Sequence, residues 1–182
     1  MLLTVLLGLI ADFSPTEIDA GRFHVRFPMP VTQIALRHDD TPWGPASVLI
    51  LGANDATGIS YEFSEAGPDR RGGADAAGLG RVVGHFAQRH KCTAHAIADR
   101  PLADAEDRIH PQIVFEGHCA APVAYRIATI LVADRVYTLQ VYRPLTFHNP
   151  ANGHPETAAA DDLDMALRDL MAHSRWRVSD MR

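Results

Sequence analysis

Residues 128–143 read ATILVADRVYTLQVYR. Two apolar runs, Val123–Val132 and Arg135–Tyr142, meet at Asp134-Arg135, which makes them an antiparallel strand pair. Ile127, Thr129 and Leu131 alternate with Ala128, Ile130 and Val132, and the second run is apolar on both sides at Val136, Tyr137, Leu139 and Val141. Strands that are apolar on both faces are usually covered on both faces. The rest of the chain must therefore supply a layer for each side of this hairpin, and that requirement limits the fold more than any other feature.

Two segments have the spacing to do so. Leu79, Val82, Val83 and Phe86 recur at i, i+3, i+4 and i+7, one apolar stripe of a helix over residues 74–90, with cations at its end in His90-Lys91. Leu163, Ala166, Leu167, Leu170 and Met171 form the stripe of a second helix, over 156–173, opened by Pro155-Glu156. The remaining apolar segments alternate. In Arg22–Phe27 the side chains of Phe23, Val25 and Phe27 share one face. Thr32–Arg37 is read as a strand with Ile34 and Leu36 inward, followed by a loop at His38–Gly44. Ser47–Leu51 and Gly58–Phe63 turn at Asn54-Asp55, and Ser64–Gly73 reads as a polar loop. Thr93–Ala98 and Gln112–Glu116 flank an acidic loop over Arg100–His110. Runs of strands joined by turns, with few helices between them, predict an α+β fold: an antiparallel β-sheet of six to eight strands with two main helices packed on it. A chain of 182 residues with no evident linker or repeat is read as one domain, residues 21–178, behind an apolar segment, residues 1–20.

That segment contains Leu2–Ala11, a compact apolar block followed by small and polar residues, the pattern of a secretory signal without its positive start. The competing reading is a native strand or helix docked on the core. No run reaches the length of a membrane span. The net charge of −5 gives no basic footprint for nucleic acid. Lys91 is the only lysine among 17 basic residues, which reflects coding bias more than anion recognition.

The strand order, the F-x-V-x-F-P run at Phe23–Pro28, Thr41-Pro42-Trp43-Gly44, and Arg135-Val136-Tyr137-Thr138-Leu139-Gln140-Val141 together resemble the PsbP-like domain. This is the fold of the photosystem extrinsic subunit PsbP, the nuclear-transport factor Mog and many exported bacterial proteins. The resemblance covers roughly residues 21–178. It implies a binding or accessory module outside the cytoplasm, and it carries over no catalytic residues. Bacterial relatives are often anchored through a lipid-bearing cysteine, and here no cysteine follows the apolar block.

Cys92 and Cys119 are the only cysteines. If Thr93–Ala98 pairs antiparallel with Gln112–Glu116, these two residues fall opposite one another, within disulfide reach. The alternative is a metal cluster of His90, Cys92, His95 and His118, but its spacing fits no zinc pattern, and His95 points to the other face of the strand from Cys92. The disulfide is preferred, no metal site is assigned, and the bond favours a secreted or periplasmic protein, with the cytoplasm as the alternative. Ten histidines invite acid–base chemistry but are scattered along the chain. The one local concentration is a loop with His148, Asn149 and His154, a candidate ligand-binding loop. Gly78-Leu79-Gly80-Arg81-Val82-Val83-Gly84 fails as a dinucleotide loop, because its last glycine is one position late and it lies within a helix; its glycines are read as permitting close packing. No nucleophile elbow, P-loop or zincin motif is present, so no residue is given a catalytic role and no cofactor is called for. Two functions remain: a non-enzymatic exported binding or accessory domain for a protein or small-molecule partner, or a small hydrolase whose His and Asp residues meet only in three dimensions. Convergence of His24, His38, His110, His118, His148 or His154 with acids in one cleft separates them.

Overall fold

The computed structural model describes residues 16–20, 23–68, 74–98, 102–103, 109–120, 123–144 and 155–176. Leu2–Ala11 and the loop bearing His148, Asn149 and His154 lie outside the described residues.

The chain forms a mostly antiparallel α+β structure. Its elements are β1 (Glu17–Ala20), β2 (Phe23–Arg26), β3 (Gln33–Thr41), β4 (Gly44–Asn54), β5 (Ser60–Pro68), α1 (Ala76–Leu79), α2 (Val82–His90), β6 (Cys92–Ala98), β7 (Leu102–Ala103), β8 (Ile109–His110), β9 (Gln112–Cys119), β10 (Val123–Val132), β11 (Arg135–Pro144), α3 (Pro155–His173) and β12 (Arg175–Trp176). Seven strands make the main sheet in the order β3-β4-β5-β11-β10-β9-β6, and every pairing within it is antiparallel. A three-stranded sheet β1-β2-β12 and the pair β7-β8 lie beside it.

The two-sided apolar hairpin is β10–β11, and it is central. Its turn is Ala133-Asp134, since Val132 registers with Arg135. This places the turn one residue earlier than expected, with Ala133 itself in the left-handed region at φ 55°. Alternation then divides the side chains between two buried clusters. Ala128, Ile130, Tyr137, Leu139 and Val141 face one way, with Phe63, Phe23 and the α3 residues Leu163, Ala166, Leu167 and Leu170. Phe23 stacks on Phe63 at 5.1 Å between centroids. Ile127, Leu131 and Val136 face the other way, with Val48, Ile50, Phe115 and the helical residues Leu79, Val82 and Phe86. On the first face, Arg126 is buried yet satisfied, bound to Glu116 at 3.0 Å on β9 and to Asp164 on α3 at 2.5 Å. A buried cation held by two carboxylates on different elements fixes the helix to the sheet by direction as well as by apolar contact.

Four expectations are corrected. His38–Gly44 is not a loop: β3 continues to Thr41, β4 begins at Gly44, and only Pro42-Trp43 turn. Gly44 takes φ +101°, which a two-residue hairpin can use and which favours glycine. Ser64 likewise continues a strand, β5, to Pro68. Ile34 and Leu36 are not inward but 57% and 72% exposed, on β3, which is an edge strand of the sheet. The first helix is interrupted: α1 closes at Gly80, and α2 starts after Arg81. Gly78, within α1, is where Trp43 comes closest. Trp43 donates from Nε1 to the Asp75 carbonyl at 2.9 Å, and a Cβ on Gly78 would sit 1.9 Å from that nitrogen. The glycine-rich run thus serves close packing at Gly78, whereas a Cβ at Gly84 would meet nothing within 4 Å.

Candidate functional site

The face of the sheet that carries Ile127 and Val136 is not apolar throughout. Reading the register across β5, β11, β10 and β9 gives the row Ser64, Thr138, Thr129, Ile113 and, next to it, the row Glu62, Gln140, Ile127, Phe115. A further row holds Ser60, Tyr142, Tyr125 and Gly117. A polar patch therefore occupies the middle of the sheet, on the face that shares a buried cluster with Val82 and Phe86 of α2. A cavity of about 430 Å³ lies over it, lined by the side chains of these rows other than Ser60, Ile113 and Gly117, by Val48 and Ile50 of β4, by Arg37 and Asp39 of β3, and by Val82, His85, Phe86 and Arg89 of α2. That size and mix, apolar walls with a few converging polar groups, are those of a small-molecule site. A second cavity of about 210 Å³, lined by Arg26, Phe27, Tyr61 and residues of α3, has a smaller and plainer lining.

Local sequence places each wall. On α2, Val82 and Phe86 are one turn apart and buried, so His85 and Arg89 flank them at the cavity edge. Phe86 packs against Gly117, where a Cβ would come to 2.5 Å from its ring. It also meets Tyr125 edge-on at 5.3 Å, and Tyr125 stacks on Tyr142 at 5.0 Å. The result is an aromatic wall beside the polar patch. Arg89 binds Asp39 at 2.9 Å and the Asp40 carbonyl at 3.2 Å, joining α2 to β3 across the cavity mouth.

Glu62 is the informative group. Burial pushes its carboxyl from 4.5 up to about 6, with Arg37 pulling it down, Asp39 pushing it up, and the Gln140 amide donating to it. Burial also lowers the imidazoles of His85 and His90, the latter stacked on Phe86 at 4.6 Å, so both are neutral at pH 7. The Tyr125 and Tyr142 phenols are raised, first by burial, with the Glu62 charge adding to both. The arrangement is a desolvated carboxylate against aromatic rings, with neutral imidazoles at the edge.

The raised carboxyl fixes a sign. Native Glu62 holds a proton between about pH 4.5 and 6 that the unfolded chain has released. Its contribution to stability therefore falls as pH rises through that window and stays low above it. Glu62→Gln is expected to gain up to about 2 kcal/mol at pH 7.5 and nothing at pH 4. Denaturant midpoints of both proteins at the two pH values check this; a gain of equal size at pH 4 would mean that the carboxyl is not desolvated.

The residues singled out from the sequence are placed elsewhere. Cys92 and Cys119 register opposite one another at the end of β6–β9 and form the disulfide, which removes Cys92 from any metal cluster. Among the described residues, no group of three or more His, Cys, Asp or Glu side chains comes together as metal ligands. His24 sits with Asp19 at 2.9 Å and Glu17 at 3.6 Å on the small sheet, and His118 with Glu116 at 3.9 Å; neither lines either of these two cavities. His85 and His90 do line one, together with Glu62, Thr138 and Gln140; of these only His90 was singled out from the sequence, and then as a candidate metal ligand. The available signal was the alternation Ser60, Glu62, Ser64 and Thr138, Gln140, Tyr142 on strands flanked by buried neighbours. No helix among the described residues is long and apolar enough to cross a membrane. No protein-family model matches the chain, and no curated protein matches it.

Proposed function

We propose that this protein is a non-enzymatic binding module of the PsbP-like kind, with helices covering both faces of its sheet, and that its ligand site is the cleft under α2. One observation carries the reading. The cavity of about 430 Å³ holds Glu62, Gln140, Thr129 and Thr138 on its floor, polar groups that a plain core would not contain. A catalytic reading would need a nucleophile or base held by an orienting partner, and the groups here are a carboxyl bound by an amide and two neutral imidazoles among aromatic rings.

N-phenyl-1-naphthylamine, a neutral fluorescent apolar probe, tests the site. The wild-type protein is expected to bind it with one-to-one stoichiometry and a blue-shifted emission. Thr138→Phe, a half-buried floor position filled with a ring, is expected to weaken binding by about tenfold or more. Binding that is indifferent to Thr138→Phe would place the probe elsewhere and remove the cleft from consideration.

The module is proposed to act outside the cytoplasm. The support is the apolar block Leu2–Ala11 and a disulfide, a bond that persists in oxidising compartments. Expressed with its full N-terminus in a bacterial host, the protein is expected in the periplasm with a cut between Ala11 and Gly21, as read by intact mass. A cytoplasmic protein of full mass would refute the export.

A further inference from the structure

The cleft can be assigned a ligand chemistry, an assignment that rests on the cleft being the binding site. Its charged groups do not cancel evenly. Arg89 is engaged by Asp39 at 2.9 Å, and His85 and His90 are neutral. What remains is Glu62 and Asp40 against Arg37. Arg37 acts on Glu62 through space, and no ion pair between them is among those formed by the described residues; the side-chain partner of Glu62 is the Gln140 amide. A carboxylate removed from water with one neutral donor is under-compensated, and an incoming cation restores what burial removed. Beside it stand the rings of Tyr125, Tyr142 and Phe86, whose faces attract cations and exclude water. Val48, Ile50 and Ile127 supply the apolar surface for the remainder of the ligand.

We infer that the cleft binds a small organic amine, its primary ammonium on Glu62 and its apolar or aromatic body along the walls beneath α2. Among the described residues, an anionic ligand would have Arg37 as its only lining cation not held in an ion pair, and it would face both Glu62 and Asp40. Binding of the ammonium is linked to Glu62 ionisation. The groups facing Glu62 are Arg37 and Asp39 on β3, Tyr142 and Gln140 on β11 and Tyr125 on β10, while Asp40 on β3 and His85, Arg89 and His90 on α2 complete the charged and titratable lining. Of these, Glu62 changes charge near pH 6 beside the ammonium, and the imidazoles of His85 and His90, lowered from 6.5 by burial, gain charge only on the acid side, where they oppose a cation in the same direction as the loss of the Glu62 charge. Amine affinity must then rise with pH through about 6 and level off above it.

Three probes of similar size separate the cases by titration calorimetry: 2-phenylethylamine, 2-phenylethanol and 3-phenylpropanoate, the amine charged at both working pH values. At pH 7.5 the amine is expected to bind about tenfold or more tighter than the alcohol and the acid. At pH 5 the advantage over the alcohol should largely vanish, and Glu62→Gln should remove it at pH 7.5. If that variant fails to fold, a His85→Gln, His90→Gln protein decides, since its amine advantage should still vanish at pH 5 with no imidazole left to gain charge in the lining. Equal binding of amine and alcohol, tightest binding of the acid, or an amine preference that persists at pH 5 overturns the ammonium assignment. So does failure of the amine to bind a protein that still binds N-phenyl-1-naphthylamine; in each of these cases the cleft survives as a site. A protein that binds none of the four probes overturns the cleft and the amine together.

Discussion

Leu139→Ala is expected to lose about 2–5 kcal/mol of stability by transfer and cavity terms, whereas Leu36→Ala should lose less than about 0.5. Both positions are leucines on strands of the same sheet, and their surroundings set the difference. Leu139 is 1% exposed on the central strand β11, registered between Phe63 of β5 and Ala128 of β10. Tyr137 and Val141 flank it on the same face, and Leu163 and Leu167 of α3 belong to the same cluster. Truncation leaves a hole that rings and a β-sheet cannot close. Leu36, 72% exposed on the edge strand, leaves none. Urea melts of the two variants read the contrast directly. Equal small losses would mean that the hairpin lies at the margin of the fold and that its apolar surface serves a partner.

Opening the disulfide is the second large effect. Cys92 and Cys119 are separated by 27 positions and tie the start of the edge strand β6 to the end of β9. Closing a loop of that length is worth about 3–4 kcal/mol by the chain-entropy estimate. The Cys92→Ala, Cys119→Ala double variant should therefore melt at a distinctly lower denaturant concentration, and wild-type protein in strong reductant should match it. The site is local: β6 adjoins α2, the helix over the cleft, so the variant is also expected to bind N-phenyl-1-naphthylamine less well before global unfolding. A loss under about 1 kcal/mol would show that the unfolded chain is already compact around this loop.

These two effects were legible because they depend on alternation and register. The two-sided pattern of Val123–Val132 and Arg135–Tyr142 required a central hairpin, and antiparallel pairing across residues 98–112 set Cys92 against Cys119. The errors have the same root. Alternation says that a side chain faces one of two ways but not what lies there. Ile34 and Leu36 have the pattern of buried residues, yet their strand ends the sheet. Glu62, Ser64, Thr138 and Gln140 have the pattern of a solvated face, yet they line one cavity with Val82, His85 and Phe86 of α2. Gly78 was legible as a close approach, but its partner, Trp43, comes from a hairpin turn that Pro42 and Gly44 disguised as a loop. The histidines at the site, His85 and His90, are set by helical phase relative to Phe86, and only the orientation of α2 over the sheet turns that phase into a position at the cleft.

The central claim is that the space under α2 holds a ligand. Amide chemical-shift mapping of isotope-labelled protein titrated with N-phenyl-1-naphthylamine tests it most directly. The account predicts saturable shifts concentrated at Ile50, Ser64, Phe86, Thr129 and Thr138, residues that share the cleft but come from five different elements. Shifts confined to the exposed edge around Ile34 and Leu36, with the cleft residues unmoved, would contradict it.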